Sequence, residues 1–353
     1  MAVESQKLQR IYAETGADAL FLEQDFLRRY VTGFYSTDGF AVYDGNTCTF
    51  VADMRYFEAA TEALKESGIR VVEGSFERAV SLVSGCKTLG VPYPFVSRAA
   101  CARLEDRGFT LTDCMPALRE AMKVKSASEL GCIARACDMA EEGLLKTLPR
   151  IKEGMTEREL AAVLEYEMRM QGADGTSFET IVAFGRGSSV PHHETGDTKL
   201  RFGDVVLIDF GCKTQGYCSD CTRTFLFGDD GKHGDFKEKY AVVLEAHERV
   251  KEKLVSGMTG READAIARGL FAEKGLDKFF THSLGHGIGL EIHEYPVLAP
   301  RGEEKLLDGM VFSDEPGLYF AGEYGIRIED SICLENGKVR SFMHKTAHDL
   351  LIL

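Results

Sequence analysis

Residues 154–159 and 257–262 are near copies of each other. Gly154-Met155-Thr156-x-Arg158-Glu159 recurs as Gly257-Met258-Thr259-x-Arg261-Glu262, 103 positions later. Both segments run on to a glycine, Gly172 and Gly275, at the same offset of 103. Leu200-x-x-Gly203-x-Val205 then returns as Leu306-x-x-Gly309-x-Val311, at an offset of 106. One such match between amphipathic helices is within chance; three in register indicate duplication. This part of the chain should fold as two related helix-plus-strand halves that face each other about a pseudo-twofold axis.

Local signals agree with that architecture. Ser126-x-x-Glu129, Thr156-x-x-Glu159 and Thr259-x-x-Glu262 are capping boxes, in which the hydroxyl and the carboxylate satisfy backbone N–H groups at a helix start. Behind them, Leu130, Ile133 and Cys137, then Leu160, Val163, Leu164 and Met168, then Ala263, Ile266, Ala267 and Leu270 recur at helical spacing. A fourth helix is expected over 236–254. The residues before the repeat read as a separate α/β unit. Strands are expected over 17–23, 40–43, 48–52, 68–72 and 89–91, with Asp44-Gly45-Asn46 as a hairpin turn. Helices are expected over 55–67 and 98–106, and 113–125 reads as a connection. The expected domains are 1–120 and 121–353, an α/β N-terminal domain and an α+β domain of duplicated halves with antiparallel sheet.

Composition narrows the function. Asp and Glu number 56 against 42 Lys and Arg, a formal charge of −14. That excess argues against nucleic acid, whose binding needs a basic face, and against an anionic membrane surface. Apolar runs such as Val205-Val206-Leu207-Ile208 are too short to span a bilayer. The N-terminal stretch lacks a secretory apolar segment, and ten scattered cysteines suit reduced thiols, so a cytoplasmic protein is expected.

Part of the acid excess falls at equivalent places in the repeat. Six residues beyond Gly203 stands Asp209, and six beyond Gly309 stands Glu315. Asp220 and Glu329 follow on the next strand of each half. Any one of these could cap a turn or pair with a lysine. Four together at the ends of apolar strands need protons or cations, since four carboxylates do not stay ionised in one dry pocket. His282, His286 and His293 lie in a glycine-rich stretch, and His192-His193 precedes the first acid strand. One imidazole with several carboxylates is an oxygen-rich donor set. It favours Mn²⁺ or Co²⁺, with Zn²⁺ or Fe²⁺ also able to occupy it.

With the strings IDFG, SDxTRTF, HGIGLEIHE, EPGLY and RIED around these residues, the chain resembles the pita-bread metallopeptidases. This creatinase/methionine aminopeptidase-like family is matched nearest its Xaa-Pro aminopeptidases (aminopeptidase P) and prolidases. The resemblance covers 120–353, and Arg29-Tyr30-Val31-Thr32-Gly33-Phe34 echoes the family's N-terminal domain more loosely. It implies two divalent ions, with Asp209 on the first, His286 and Glu315 on the second, and Asp220 and Glu329 bridging. It further implies hydrolysis of an N-terminal Xaa-Pro bond by a metal-bridging hydroxide, with Glu315 receiving the proton and His282 assisting the oxyanion. His192 and His293 would shape the proline pocket, Arg327 would hydrogen-bond near a bridging carboxylate, and the protein would be a homodimer. Methionine aminopeptidase-type or broad-specificity activity, a creatinase-like hydrolase, and a non-catalytic peptide- or histone-binding member are the alternatives. Three departures stand out. Asp314 occupies a usually apolar position before EPG, His193 doubles the family histidine, and Cys218 and Cys221 form a C-x-x-C that strand geometry should split across two faces.

Overall fold

The computed structural model describes residues 5–353, so the first four residues of the N-terminal stretch read above lie outside it. The chain divides into two compact units between Met122 and Lys123. In the first, six strands form one mixed sheet in the spatial order Arg70–Glu73, Cys48–Ala52, Phe40–Tyr43, Ala19–Leu22, Thr88–Val91, Thr110–Asp113. The hairpin over Asp44-Gly45-Asn46 forms as expected, with Tyr43 opposite Cys48, and the flanking strands pair in parallel. Its central strands are buried on both faces, which is why they read as continuous apolar runs rather than as alternation.

Two expectations here need correction. The helix expected over 55–67 is confined to Phe57–Ala63. The stretch 113–125, read as a connection, is the helix Met115–Lys123, which buries Met115, Leu118 and Met122. Pro116 stands in its first turn, where proline is tolerated because no intrahelical N–H is needed.

In the second unit all three capping boxes form. Ser126, Thr156 and Thr259 each donate their backbone N–H to Glu129, Glu159 and Glu262, at 2.8, 2.8 and 2.7 Å. The helices they start are Ala127–Thr147, Glu157–Met170 and Gly260–Glu273, and a fourth spans Gly234–Lys253. The duplication is visible in matched hydrogen bonds. Gly154 N donates to Leu200 O at 2.8 Å, and Gly257 N donates to Leu306 O at 2.8 Å. The bridge Thr156↔Lys199 has its counterpart in Thr259↔Lys305. Gly203 and Gly309 take φ of 90° and 84°, a left-handed turn that only glycine enters cheaply, which explains their place in the repeat.

Each half contributes an antiparallel sheet. One orders Cys221–Leu226, Val205–Phe210 and Ile181–Phe184; the other orders Glu294–Leu298, Gly285–Gly287, Val311–Asp314, Asp330–Glu335 and Lys338–Ser341. Phe236, Val243, Phe271, Phe312, Ile328 and Ile332 fill the core behind the second sheet. Burying each such side chain contributes roughly 1.5–3 kcal/mol, which anchors the strands that carry the acids.

Candidate metal centre and substrate cleft

The two sheets meet through the residues that carry the carboxylates. Asp209, on Val205–Phe210, is paired with Thr222 on Cys221–Leu226. Glu329 N donates to Thr222 O at 3.1 Å, a bridge between the halves. Asp220 N donates to Ser331 Oγ at 3.0 Å, and that hydroxyl donates back to Asp220 O at 2.8 Å. Asp220 and Glu329 therefore stand just ahead of their strands, at the seam, rather than within the ladders. Oxygens of Asp209, Asp220 and Glu329 all lie within 4.8 Å of one another. Glu315 follows the strand Val311–Asp314. His286 Nε2 lies 3.5 Å from Asp220 Oδ2 and 3.6 Å from Glu315 Oε1.

The glycines around His286 have a packing cause. A Cβ on Gly285 would run into Ser313 O, and one on Gly287 into Tyr295 O. Neighbouring backbone passes so closely that only His286 can carry a side chain in this short strand. Gly211 repeats the pattern against Ser219 O in the first half.

Electrostatics in this seam are severe. Burial drives the carboxyl groups of Asp209, Asp220 and Glu329 above their ordinary range; for Asp220, the charge of Glu329 adds to it, and for Glu329, that of Glu315. Glu315 is pushed up to about 8, mainly by burial. Arg327, 3% exposed, is the one buried counter-charge in direct contact among the described residues, with Nη2 2.5 Å from Asp209 Oδ2. Its Nε donates to Thr222 Oγ1 at 2.9 Å, and that hydroxyl donates to Glu329 Oε2 at 2.5 Å. One guanidinium does not balance four carboxylates. The other oxygen of Asp209, Oδ1, is buried without a hydrogen-bond partner among the described residues. His286 is held to about 4 by burial and by His293, so it presents a neutral imidazole. Its Nδ1 lies 3.1 Å from Gly287 O, which makes Nδ1 the protonated nitrogen and leaves Nε2 as a lone pair facing the acids. Unpartnered carboxylate oxygen, neutral imidazole and excess buried negative charge fit divalent cations.

The seam floors a cleft of about 1150 Å³, which His192, His282 and His293 also line. Burial lowers the proton affinity of His293, whose ring lies 4.2 Å from that of His286. His282 is held down to about 3, by burial and then by Arg327. Its Nδ1 lies 2.8 Å from Ser283 O and so bears the proton, while Nε2 lies 2.9 Å from Tyr319 OH and accepts from it. Tyr319 OH in turn accepts from Arg327 Nη1 at 2.7 Å. Tyr319 was visible in the EPGLY string, yet nothing in its spacing pointed to this link. His193, set aside as a duplicate, contacts buried Glu157 at 2.9 Å; Glu157 also accepts from Phe184 N and Gly196 N, both at 2.9 Å. Glu157 thus ties down both ends of the segment that carries His192. Asp314 points away from the cleft, as alternation required. Cys218 Sγ donates to Leu290 O at 3.7 Å, and no ligand-type cluster among the described residues contains a cysteine.

Comparison with known proteins decides the family. A family model described as metallopeptidase family M24 matches residues 131–336, and one described as the creatinase/prolidase N-terminal domain matches 5–121. The chain belongs to metallopeptidase family M24. The Xaa-Pro dipeptidase of Pyrococcus horikoshii is 34% identical to this M24 chain, over 99% of it and all of that protein. Among solved structures, the Xaa-Pro dipeptidase from Bacillus anthracis matches with a TM-score of 0.93 at 34% identity, covering 99% of both chains. The X-Pro aminopeptidase from Thermotoga maritima gives 0.91 at 33%, covering both chains completely. The duplicated unit is the M24 pita-bread fold, preceded by a creatinase/prolidase N-terminal domain, and the protein is a hydrolase of the metallopeptidase class.

Proposed function

We propose that this M24 peptidase releases an N-terminal residue from a following proline, using two divalent cations held by Asp209, Asp220, His286, Glu315 and Glu329. The observation that carries the metal reading is the unpartnered Asp209 Oδ1 in a seam of four carboxylates, two buried and two partly buried, and a neutral imidazole. The proline preference is supported by relatives of matching length named Xaa-Pro dipeptidase and X-Pro aminopeptidase. Mn²⁺ or Co²⁺ suits the oxygen-rich set. When bound, the ions supply counter-charge to the carboxylates and Lewis-acid polarisation of the scissile carbonyl and of water.

The side chains do the remaining work. Arg327 takes one oxygen of Asp209 and leaves the other facing the seam. Glu315, beside His286 at the cleft floor, accepts the proton of the attacking water. That proton matters here because the proline nitrogen has no N–H and must gain one as it departs. His282, neutral and with its N–H committed to Ser283 O, donates to the carbonyl oxygen only once its proton stands on Nε2 and its Tyr319 contact is given up to substrate. His192 and His293 form the cleft wall that receives the proline side of the substrate. A cytoplasmic homodimer belongs to the same proposal, and sedimentation analysis tests the dimer. The decisive experiment compares Xaa-Pro dipeptides, Xaa-Pro-Xaa tripeptides and proline-free controls before and after EDTA. Proline-dependent cleavage, lost with EDTA and restored by Mn²⁺, is the expected result; EDTA-resistant cleavage refutes the proposal.

A further inference from the structure

A second charged cluster lies behind the metal-site seam. Asp314 and Asp330 are direct partners in the antiparallel ladder of Val311–Asp314 with Asp330–Glu335. Their chain neighbours are Glu315 and Glu329, so each pair of successive acids sends one carboxylate into the cleft and one to the back. Both back carboxylates are fully buried. Like charges placed directly opposite on neighbouring strands push them apart. Between them, from the helix Gly234–Lys253, comes His247, also fully buried. Its Nδ1 lies 3.0 Å from Asp314 Oδ2 and its Nε2 3.5 Å from Asp330 Oδ2.

The two acids are unequally supported. Asp330 has Arg223 Nη2 at 2.9 Å, His348 Nε2 at 2.9 Å, Ser341 Oγ at 2.9 Å and Lys251 Nζ at 3.9 Å. The carboxylate of Asp314 has only His247 against it among the described residues, as an ion pair at 3.0 Å. Burial opposes a charge on His247, yet Asp314 and Asp330 together raise it to about 9. Burial pushes the Asp314 carboxyl up, and His247 opposes that shift. The two carboxylates thus have His247 between them and Arg223 beside Asp330. Arg223 also reaches the seam directly, its Nη1 donating to Glu329 O at 2.6 Å. His247, Asp330 and His348 are spaced closely enough for a metal. The guanidinium of Arg223, 3.2 Å from His348 Nε2, already supplies the positive charge there.

We propose that His247 is a positioning residue: a buried cation that clamps Asp314 to Asp330 and so fixes the spacing of Glu315 and Glu329 across the seam. The proposal rests on the reading of those two glutamates as metal ligands. It accounts for an acid at position 314, where the family resemblance expects an apolar residue.

Equilibrium dialysis with Mn²⁺ on wild type, His247→Gln and His247→Gln/Asp314→Asn tests it, with thermal unfolding in EDTA as the control for folding. Loss of His247 leaves Asp314 uncompensated, and Mn²⁺ affinity should fall about tenfold or more, as when a group behind a ligand is removed. Adding Asp314→Asn removes the stranded charge and should restore affinity. An unchanged affinity in His247→Gln overturns the proposal, as does a double variant no better than the single, which would mark a role in shape alone. If His247→Gln does not fold, a folded double variant supports the clamp and an unfolded one overturns it. A third ion per chain that disappears with His247 also overturns it. Wild-type protein that binds no Mn²⁺ refutes the metal-site reading and the clamp with it; wild-type binding with indifferent variants refutes the clamp alone.

Discussion

Removing the metal should make stability fall with rising pH in a window set by Glu315. Its carboxyl ordinarily titrates at 4.5 and in the folded, metal-free seam at about 8. A folded-state pKa above the unfolded one means that the stabilisation is complete below 4.5 and is lost as pH climbs towards 8. Between those limits the unfolded chain has released the proton and the folded chain has kept it, a slope of about 1.4 kcal/mol per pH unit. His282 and His286, held to about 3 and 4, slope the other way, but only below their unfolded value of 6.5. The interval from pH 6.5 to 8 therefore lies clear of those two histidines, and in it Glu315 alone should cost about 2 kcal/mol, or roughly 3–4 °C in Tm. Asp220 and Glu329, shifted in the same direction, steepen the fall. His247, raised to about 9, adds its own decline whether or not metal is present. Calorimetry of EDTA-treated and Mn²⁺-loaded protein across this interval provides the measurement, the difference between the two series being the acid contribution. Equal slopes in both series would refute the argument that the seam's carboxylates lack counter-charge without cations.

Asp220→Ala and Glu329→Ala should each leave a folded protein with fewer than two ions per chain by metal analysis. His282→Ala should lower kcat by about 10²–10⁴ while metal content stays at the wild-type level, as for a group acting at the reacting carbonyl. Glu157→Ala strands the N–H groups of Phe184 and Gly196, at about 1–3 kcal/mol each, and should raise KM for Xaa-Pro peptides as the His192 wall loosens; denaturant unfolding and steady-state kinetics check both effects.

The duplication made most of the catalytic unit legible. Capping boxes are local chemistry, so Ser126, Thr156 and Thr259 announced their helices without any tertiary knowledge. Asp209 and Glu315 were legible because the repeat put them at matching distances from Gly203 and Gly309. What escaped the sequence depends on contacts between residues far apart along the chain. The seam between Thr222 and Glu329 follows from how two sheets dock, which no periodicity encodes. The role of His247 was not legible because Asp314 and Asp330 reach it from two strands of the other layer. His193 looked redundant because its partner Glu157 lies on the preceding helix. The helix Met115–Lys123 was read as a connection because it lies where the two units join.

Titration of EDTA-stripped protein with Mn²⁺, with cleavage of Ala-Pro and Ala-Ala followed at each step, puts the seam and its proposed chemistry to the same test. Activity on Ala-Pro alone, rising until two ions per chain are bound and then levelling, is the predicted result. Cleavage that needs no metal, saturates without a second ion, or ignores the proline would contradict it.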